Sequence, residues 1–279
     1  MDRIYRIEWK GEVRHAVERG GVLSLVRGDI FGLYEAAEQV AVGSGVTFTP
    51  DVRVLAPVLP GKIVAIGLNY KDHAAEQGKP LPVEPMIFLK PSTAVIAPGD
   101  PIRLPPGLGR IDHEAEMAIV IGRRASRVPV SAAAGCILGV TCANDVTARD
   151  MQNRGVQYSH VKGFDTFAPL GPCIACGLDP SDLAVEGWVN GVRRQSSRTS
   201  QLVFSAAELV AYISAIMTLE PGDVISTGTP SGIGGLRAGD EVTIKVEGVG
   251  ELRNPVVDRE GTSGETGESR IPGPEFRRK

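Results

Sequence analysis

The run RIDHEAEMAIVIG constrains this chain more than any other segment. Glu114 and Glu116 stand two residues apart, with the apolar residues Met117, Ile119, Val120 and Ile121 close behind. Such a run reads as a buried strand. Side chains in a strand alternate faces, so both carboxylates point to one side. Two carboxylates aimed into one partly buried place repel each other unless a proton or a cation intervenes. Further along, TCANDVTARD supplies Asp145 as the natural third ligand. Oxygen donors of this kind are hard ligands and suit Mg2+ or Mn2+ better than zinc. The competing reading is a solvated strand face whose glutamates merely pair with arginines.

The rest of the composition narrows the class. The chain has 279 residues, enough for one large domain or a large one plus a small one. Gly (34) and Pro (20) are plentiful while aromatics are only 5%, which fits a turn-rich, β-dominated protein. Net charge is −3, with no basic stripe for nucleic acid and no Lys/Arg cluster for a membrane surface. No apolar run approaches the length of a membrane span, and MDRIYRIEWKGE alternates charge and apolarity rather than resembling a signal peptide. Cys173 and Cys176 form a C-x-x-C, but Cys136 and Cys142 do not complete a zinc set, so the four read as small hydrophobes. Nothing demands an oxidising compartment, and a cytoplasmic protein is expected.

Along the chain, residues 1–55 read as a small N-terminal β-rich domain, followed by a Pro-rich linker and a main domain over 61–258. FGLYEAAEQVAVG suggests a short helix inside the first unit. IVAIGLNY, PMIFLKP, EMAIVIG and GCILGVTCAND read as strands, and KDHAAEQG as one or two helical turns. The stretch between Pro98 and Gly109 reads as a loop. SAAELVAYISAIMTLEPGD carries the strongest helix pattern. Ser205 and Glu208 form a capping box, Leu209, Tyr212, Ile213, Ile216 and Met217 line one face, and Pro221-Gly222 follows as a stop. EVTIKVEGVGELRNPV reads as a hairpin. Residues 259–279 are nearly devoid of apolar side chains and read as a disordered tail.

Seven segments, in order, are GLNYKDHAAE, FLKPSTAV, DHEAEMAIVIG, NDVTARDMQ, KGFDTFAPLGP, VNGVRRQ and LEPGDVISTGTPSGIG. Together they resemble the fumarylacetoacetate hydrolase family, in its short bacterial form, across residues 61 to 255. The resemblance implies a mixed, mostly β fold, a sandwiched roll with few helices, and a homodimer. It implies that Glu114, Glu116 and Asp145 hold a divalent ion, Mg2+ or Mn2+. It implies that His73 and Glu76 act as a catalytic pair on a segment that closes over substrate, with Glu fixing the imidazole. Lys162 then points into the active site as a catalytic cation. Arg149, Gln152 and Thr229 become substrate contacts, with Lys90 a further candidate, while Asp150 and Asp165 stay structural.

The chemistry implied is that of a 2-oxo acid, which chelates Mg2+ through carboxylate and keto oxygens and passes through an enolate. The first expectation is therefore an isomerase or decarboxylase acting on a 2-oxo or 2-hydroxy-dienoic diacid of aromatic catabolism. A second is an acylpyruvate or fumarylpyruvate C–C bond hydrolase, or an oxaloacetate decarboxylase. A third, from a different class, is a catalytically silent ligand-binding protein on the same scaffold.

Overall fold

A computed structural model of the chain describes residues 1–41, 48–155 and 157–259. The fold is mixed and mostly β, as expected. Its described residues form sheets of twelve, five and three strands. The largest runs, edge to edge, through Tyr34–Gln39, Val22–Gly28, Glu12–Arg19, Asp2–Trp9, Ala168–Cys176, Ile137–Asn144, Ala115–Ile121, Val224–Ser226, Ile63–Gly67 and Met86–Lys90. The first strand pairs antiparallel with Ala168–Cys176, so the N-terminal strands continue the main sheet through hydrogen bonds.

The site sits where this sheet is most deeply covered. Ala115 through Ile121 are all buried. Their alternation sorts them: Met117 packs in one core cluster, Ala118 and Val120 in a second, and Ile119 and Ile121 in a third. Met117 shares its cluster with Val185, Ile244 and Leu252 of the five-stranded sheet, which makes the sandwich. Ile119 and Ile121 pack with Leu209, Val210 and Ile213 of the Ala206–Ile216 helix. That helix carries the expected capping box between Ser205 and Glu208. The 241–255 hairpin is also present, its strands paired from Glu241–Pro255 to Val246–Gly250.

Three sequence expectations are corrected. FGLYEAAEQVAVG is not a helix: Tyr34–Gln39 is a strand that pairs with Val22–Gly28, and Val42 and Gly43 lie outside the described residues. Its Glu and Ala residues favour helix intrinsically, but the open edge of the sheet supplies partners that outweigh the propensity. The 98–109 stretch contains a short strand, Ile102–Leu104, held parallel to the hairpin's second strand. The helix ends at Ile216 rather than at Pro221, and its buried face is Ala206, Leu209, Val210, Ile213 and Ser214; Ile216 is exposed. The expected tail, 259–279, lies outside the described residues except for Arg259. Among the described residues no helix is long and apolar enough to cross a membrane. All four cysteines are free thiols, with Cys142 and Cys173 in the core.

Candidate metal centre and its cavity

The two glutamates reach one place for a reason visible in the backbone. Glu114 sits at a break between the strands Ile111–His113 and Ala115–Ile121, and Glu116 is inside the second. Both belong to the even-numbered positions that face one side. Asn144 Oδ1 accepts from the backbone N–H of Glu114 at 2.9 Å, and the Asp145 N–H donates to the Glu114 carbonyl at 2.9 Å. This pulls Asp145 against the glutamates. One ligand oxygen from each of Glu114, Glu116 and Asp145 lies within 4.8 Å of the others, and all three residues are buried.

Their surroundings differ. Glu116 Oε2 accepts from Ser226 Oγ at 2.5 Å and from the Gly228 N–H at 2.9 Å. Gly228 adopts φ +98°, and a Cβ there would sit 2.9 Å from Asn69 Cβ, so a glycine lets this loop pass close against Asn69. The second oxygen of Glu116 has no hydrogen-bond partner among the described residues. Burial, then the charge of Asp145, pushes the Glu116 carboxyl well above the usual carboxylate range. Burial would raise Glu114 too, but the charges of Lys162 and Arg149 hold it below that range.

Four basic groups brace the cluster. Lys162 Nζ donates to Glu114 Oε2 at 2.8 Å and also to Asp145 Oδ2. Burial works against its charge, but Asp145 and Glu114 keep the lysine protonated, with its pKa raised. Lys90 Nζ donates to the other oxygen of Asp145 and to the Phe167 carbonyl at 2.7 Å. Arg149 donates through Nη2 to Glu114, through Nη1 to Gln152 and through Nε to Asp112 Oδ2 at 2.8 Å. Arg110 Nε donates to the other oxygen of Asp112 at 2.6 Å.

A cavity of about 690 Å³ opens over this cluster. Among the expected residues, Glu114, Glu116, His73, Lys162, Arg149, Gln152 and Thr229 line it. Lys90 and Asp145 do not; the structure puts Lys90 beneath the site, supporting Asp145, rather than at the cavity surface. Glu76 is also not on the lining but reaches His73 behind it. His73 is buried on the Lys71–Glu76 helix, with Nδ1 2.8 Å from Glu76 Oε2 and Nε2 2.7 Å from Gln77 Nε2. An amide N–H₂ only donates, so Nε2 holds the lone pair and Nδ1 carries the proton to Glu76. Glu76 Oε1 accepts from the Gly232 N–H at 2.9 Å, tying this helix to the loop after Thr229.

Sequence reasoning missed Gln195, Asp112 and the Ser226–Gly228 pair. Gln195, fully buried on the Val192–Arg198 strand, is the hub of the site's backbone. Its Oε1 accepts from the Ala115 N–H at 2.9 Å and lies 3.0 Å from His113 Nδ1. Its Nε2 donates to Thr229 Oγ1 at 2.7 Å and to the Pro230 carbonyl at 2.8 Å. Thr229 in turn donates to the Ala115 carbonyl at 2.9 Å. Asp112 had a readable signal, since it continues the 112, 114, 116 alternation. Gln195 closes the VNGVRRQ segment, but no spacing ties it to the carboxylates, because it comes from another sheet.

The donor set fits a divalent ion. Three buried carboxylates converge, one with a free oxygen and a raised pKa, which are the conditions a hard cation relieves.

The chain is similar to known proteins over most of its length. Residues 62–257 match the family model described as fumarylacetoacetate (FAA) hydrolase, C-terminal. The chain is similar to the solved 2-hydroxyhepta-2,4-diene-1,7-dioate isomerase of Mycobacterium marinum, with TM-score 0.84 and 40% identity over 94% of this chain and all of that one. It is similar to the maleylpyruvate hydrolase of Sphingobium sp. SYK-6, solved with manganese(II) and pyruvate, at TM-score 0.73 and 29% identity over 92% of this chain and all of that one. It is 44% identical over 220 residues to the mitochondrial oxaloacetate tautomerase FAHD2A of Bos taurus, covering 74% of this chain and 70% of the relative. With its carboxylate cluster in place and most of its length matched, the chain belongs to the fumarylacetoacetate hydrolase family.

Proposed function

We propose that this protein is a divalent-metal-dependent enzyme that acts through an enolate on a 2-oxo or 2-hydroxy-dienoic diacid, as an isomerase or decarboxylase of aromatic catabolism. The observation that carries the reading is the buried Glu114–Glu116–Asp145 cluster beneath a cavity that His73 also lines. Glu114, Glu116 and Asp145 would hold Mg2+ or Mn2+, which supplies Lewis-acid stabilisation to the oxygens of a chelating 2-oxo acid.

The chain's own residues do the rest. Glu76 fixes the His73 tautomer, so Nε2 can take a proton from substrate carbon and return it elsewhere. Gln77 must first swing away from that nitrogen. Lys162 faces developing negative charge from the cavity side, and Arg149, Gln152 and Thr229 shape the wall around the acid end. Lys90 acts indirectly, by holding Asp145 in place through its hydrogen bond. Similarity to the Mycobacterium marinum isomerase and to the bovine tautomerase supports proton transfer as the chemistry.

The hydrolase reading has one specific observation in its favour: the His73–Glu76 dyad is also what activates water, and the Sphingobium relative is named a hydrolase. Incubating metal-loaded protein with 2-oxo diacids and following products by NMR separates the readings. Isomerised or decarboxylated product supports the first, two-fragment cleavage the second, and unchanged substrate across the series counts against both. A cytoplasmic homodimer completes the proposed picture.

A further inference from the structure

The ion pairs that begin at the triad run outward to the cavity mouth. Every guanidinium nitrogen of Arg149 already has a partner inside the protein: Asp112, Gln152 and Glu114. Arg149 therefore has little left to offer a substrate. Arg110 is the opposite case. Its Nε is anchored to Asp112, which is fully buried, while the arginine side chain itself is 51% exposed. Its two Nη groups have no partner among the described residues. Arg110 lines the same cavity as Glu114, Glu116 and Lys162.

The backbone around Arg110 is fixed as well. Its N–H donates to Asp150 Oδ2 at 3.0 Å, and its carbonyl accepts from the Arg149 N–H at 2.8 Å. Gly109 makes this possible: at φ +74°, it lets Asp150 Oδ2 come within 2.1 Å of where a Cβ would stand. A guanidinium held at one edge and free at the other is prearranged for end-on, two-pronged pairing with a carboxylate. The cavity, about 690 Å³, is of a size that takes whole small ligands rather than an acid headgroup alone.

We propose that Arg110 sets the specificity of this site by pairing with the second carboxylate of an extended dicarboxylate whose 2-oxo-acid end lies at the triad. The inference rests on the reading of the triad as a metal-dependent 2-oxo acid site, and it moves carboxylate recognition from Arg149 outward to Arg110. It also gives Asp112 a task, as the buried residue that aims both arginines.

Calorimetric titration of the full chain with Mg2+ tests this. The probes are oxalate, which occupies the inner end alone, and 2-oxoglutarate, 2-oxoadipate and 2-oxopimelate. Each diacid is paired with the 2-oxo monoacid of the same chain length. The wild type should prefer at least one diacid over its monoacid by about tenfold or more, the size of a charge-assisted pair. Arg110→Leu should lose that preference and keep its oxalate affinity, which also reports that the variant is folded. Arg110→Lys should regain part of the preference. Retained preference in Arg110→Leu, or none in the wild type despite oxalate binding, overturns the role of Arg110. Failure of the wild type to bind oxalate with Mg2+ overturns the underlying site reading and this inference with it.

Discussion

The carboxylates on the cavity floor and the histidine on its wall reach the same space from different supports. Glu116 stands on a strand whose residues 115 to 121 are all buried, with one of its oxygens held by Ser226 and Gly228. His73 stands on a six-residue helix with no side-chain N-cap, and its partner Glu76 is 39% exposed and tied to one loop N–H. The charges proposed to hold an ion stand on a fully buried strand. The proposed proton carrier stands on a short element with few fixed contacts, the kind that opens for substrate and closes again. The difference assigns two jobs to two kinds of scaffold, and variants on each side should fail differently.

The largest effect belongs to the floor. Glu116→Gln keeps the shape but removes a ligand charge, and should lower kcat/KM by ~10³-fold or more while abolishing calorimetric Mg2+ binding. Chelation with EDTA should reproduce the loss in the wild type. Turnover surviving either change would remove the metal from the account. His73→Ala should lower kcat by about 10²- to 10⁴-fold with Mg2+ affinity unchanged. A hydrolase should lose nearly all its rate in this variant. A decarboxylase, whose substrates break down spontaneously, should retain some. Weakened metal binding in His73→Ala would show that floor and wall are not independent.

A pH series sharpens the contrast. The folded pKa of Glu116 is raised above its ordinary value of 4.5, and the ion needs the ionised form. Below the raised pKa each bound ion must therefore displace a proton, and affinity should fall by about tenfold per pH unit as the pH is lowered. Calorimetry in buffers of different ionisation enthalpy counts that proton. In the metal-free protein the same group stabilises the fold at low pH, and this contribution is lost as pH rises through the raised pKa. Proton-independent binding would mean that Glu116 is already ionised in the empty site. The smallest effect lies away from the site: Ser205→Ala breaks the capping box and should cost about 1 kcal/mol in denaturant unfolding without changing kcat.

The alternation of Glu114 and Glu116, the buried run behind them, the capped helix and the hairpin were all legible, because each is a local pattern of period two or 3.6. The pairing of Tyr34–Gln39 was not, because its Glu–Ala composition favours helix and only the neighbouring strand decides otherwise. The candidate site divides the same way. Asp145 was readable as the natural third ligand in TCANDVTARD and again from the resemblance, and the structure adds why it arrives: its N–H reaches the Glu114 carbonyl. Gln195 crosses from another sheet to hold Ala115 and Thr229, so no spacing within one segment could reveal it. The placement of Lys90 beneath Asp145, and the free Arg110 beside a fully engaged Arg149, depend on which atoms meet in three dimensions.

Oxalate titration with Mg2+, repeated after EDTA, tests the central claim most directly, because oxalate is planar and chelates as the reacting end of a 2-oxo acid would. The account predicts binding with the ion, none after chelation, and none in Glu116→Gln at either condition. Oxalate binding that ignores the metal, or no binding at all, would contradict a metal-dependent 2-oxo acid site and leave the silent binder as the better description.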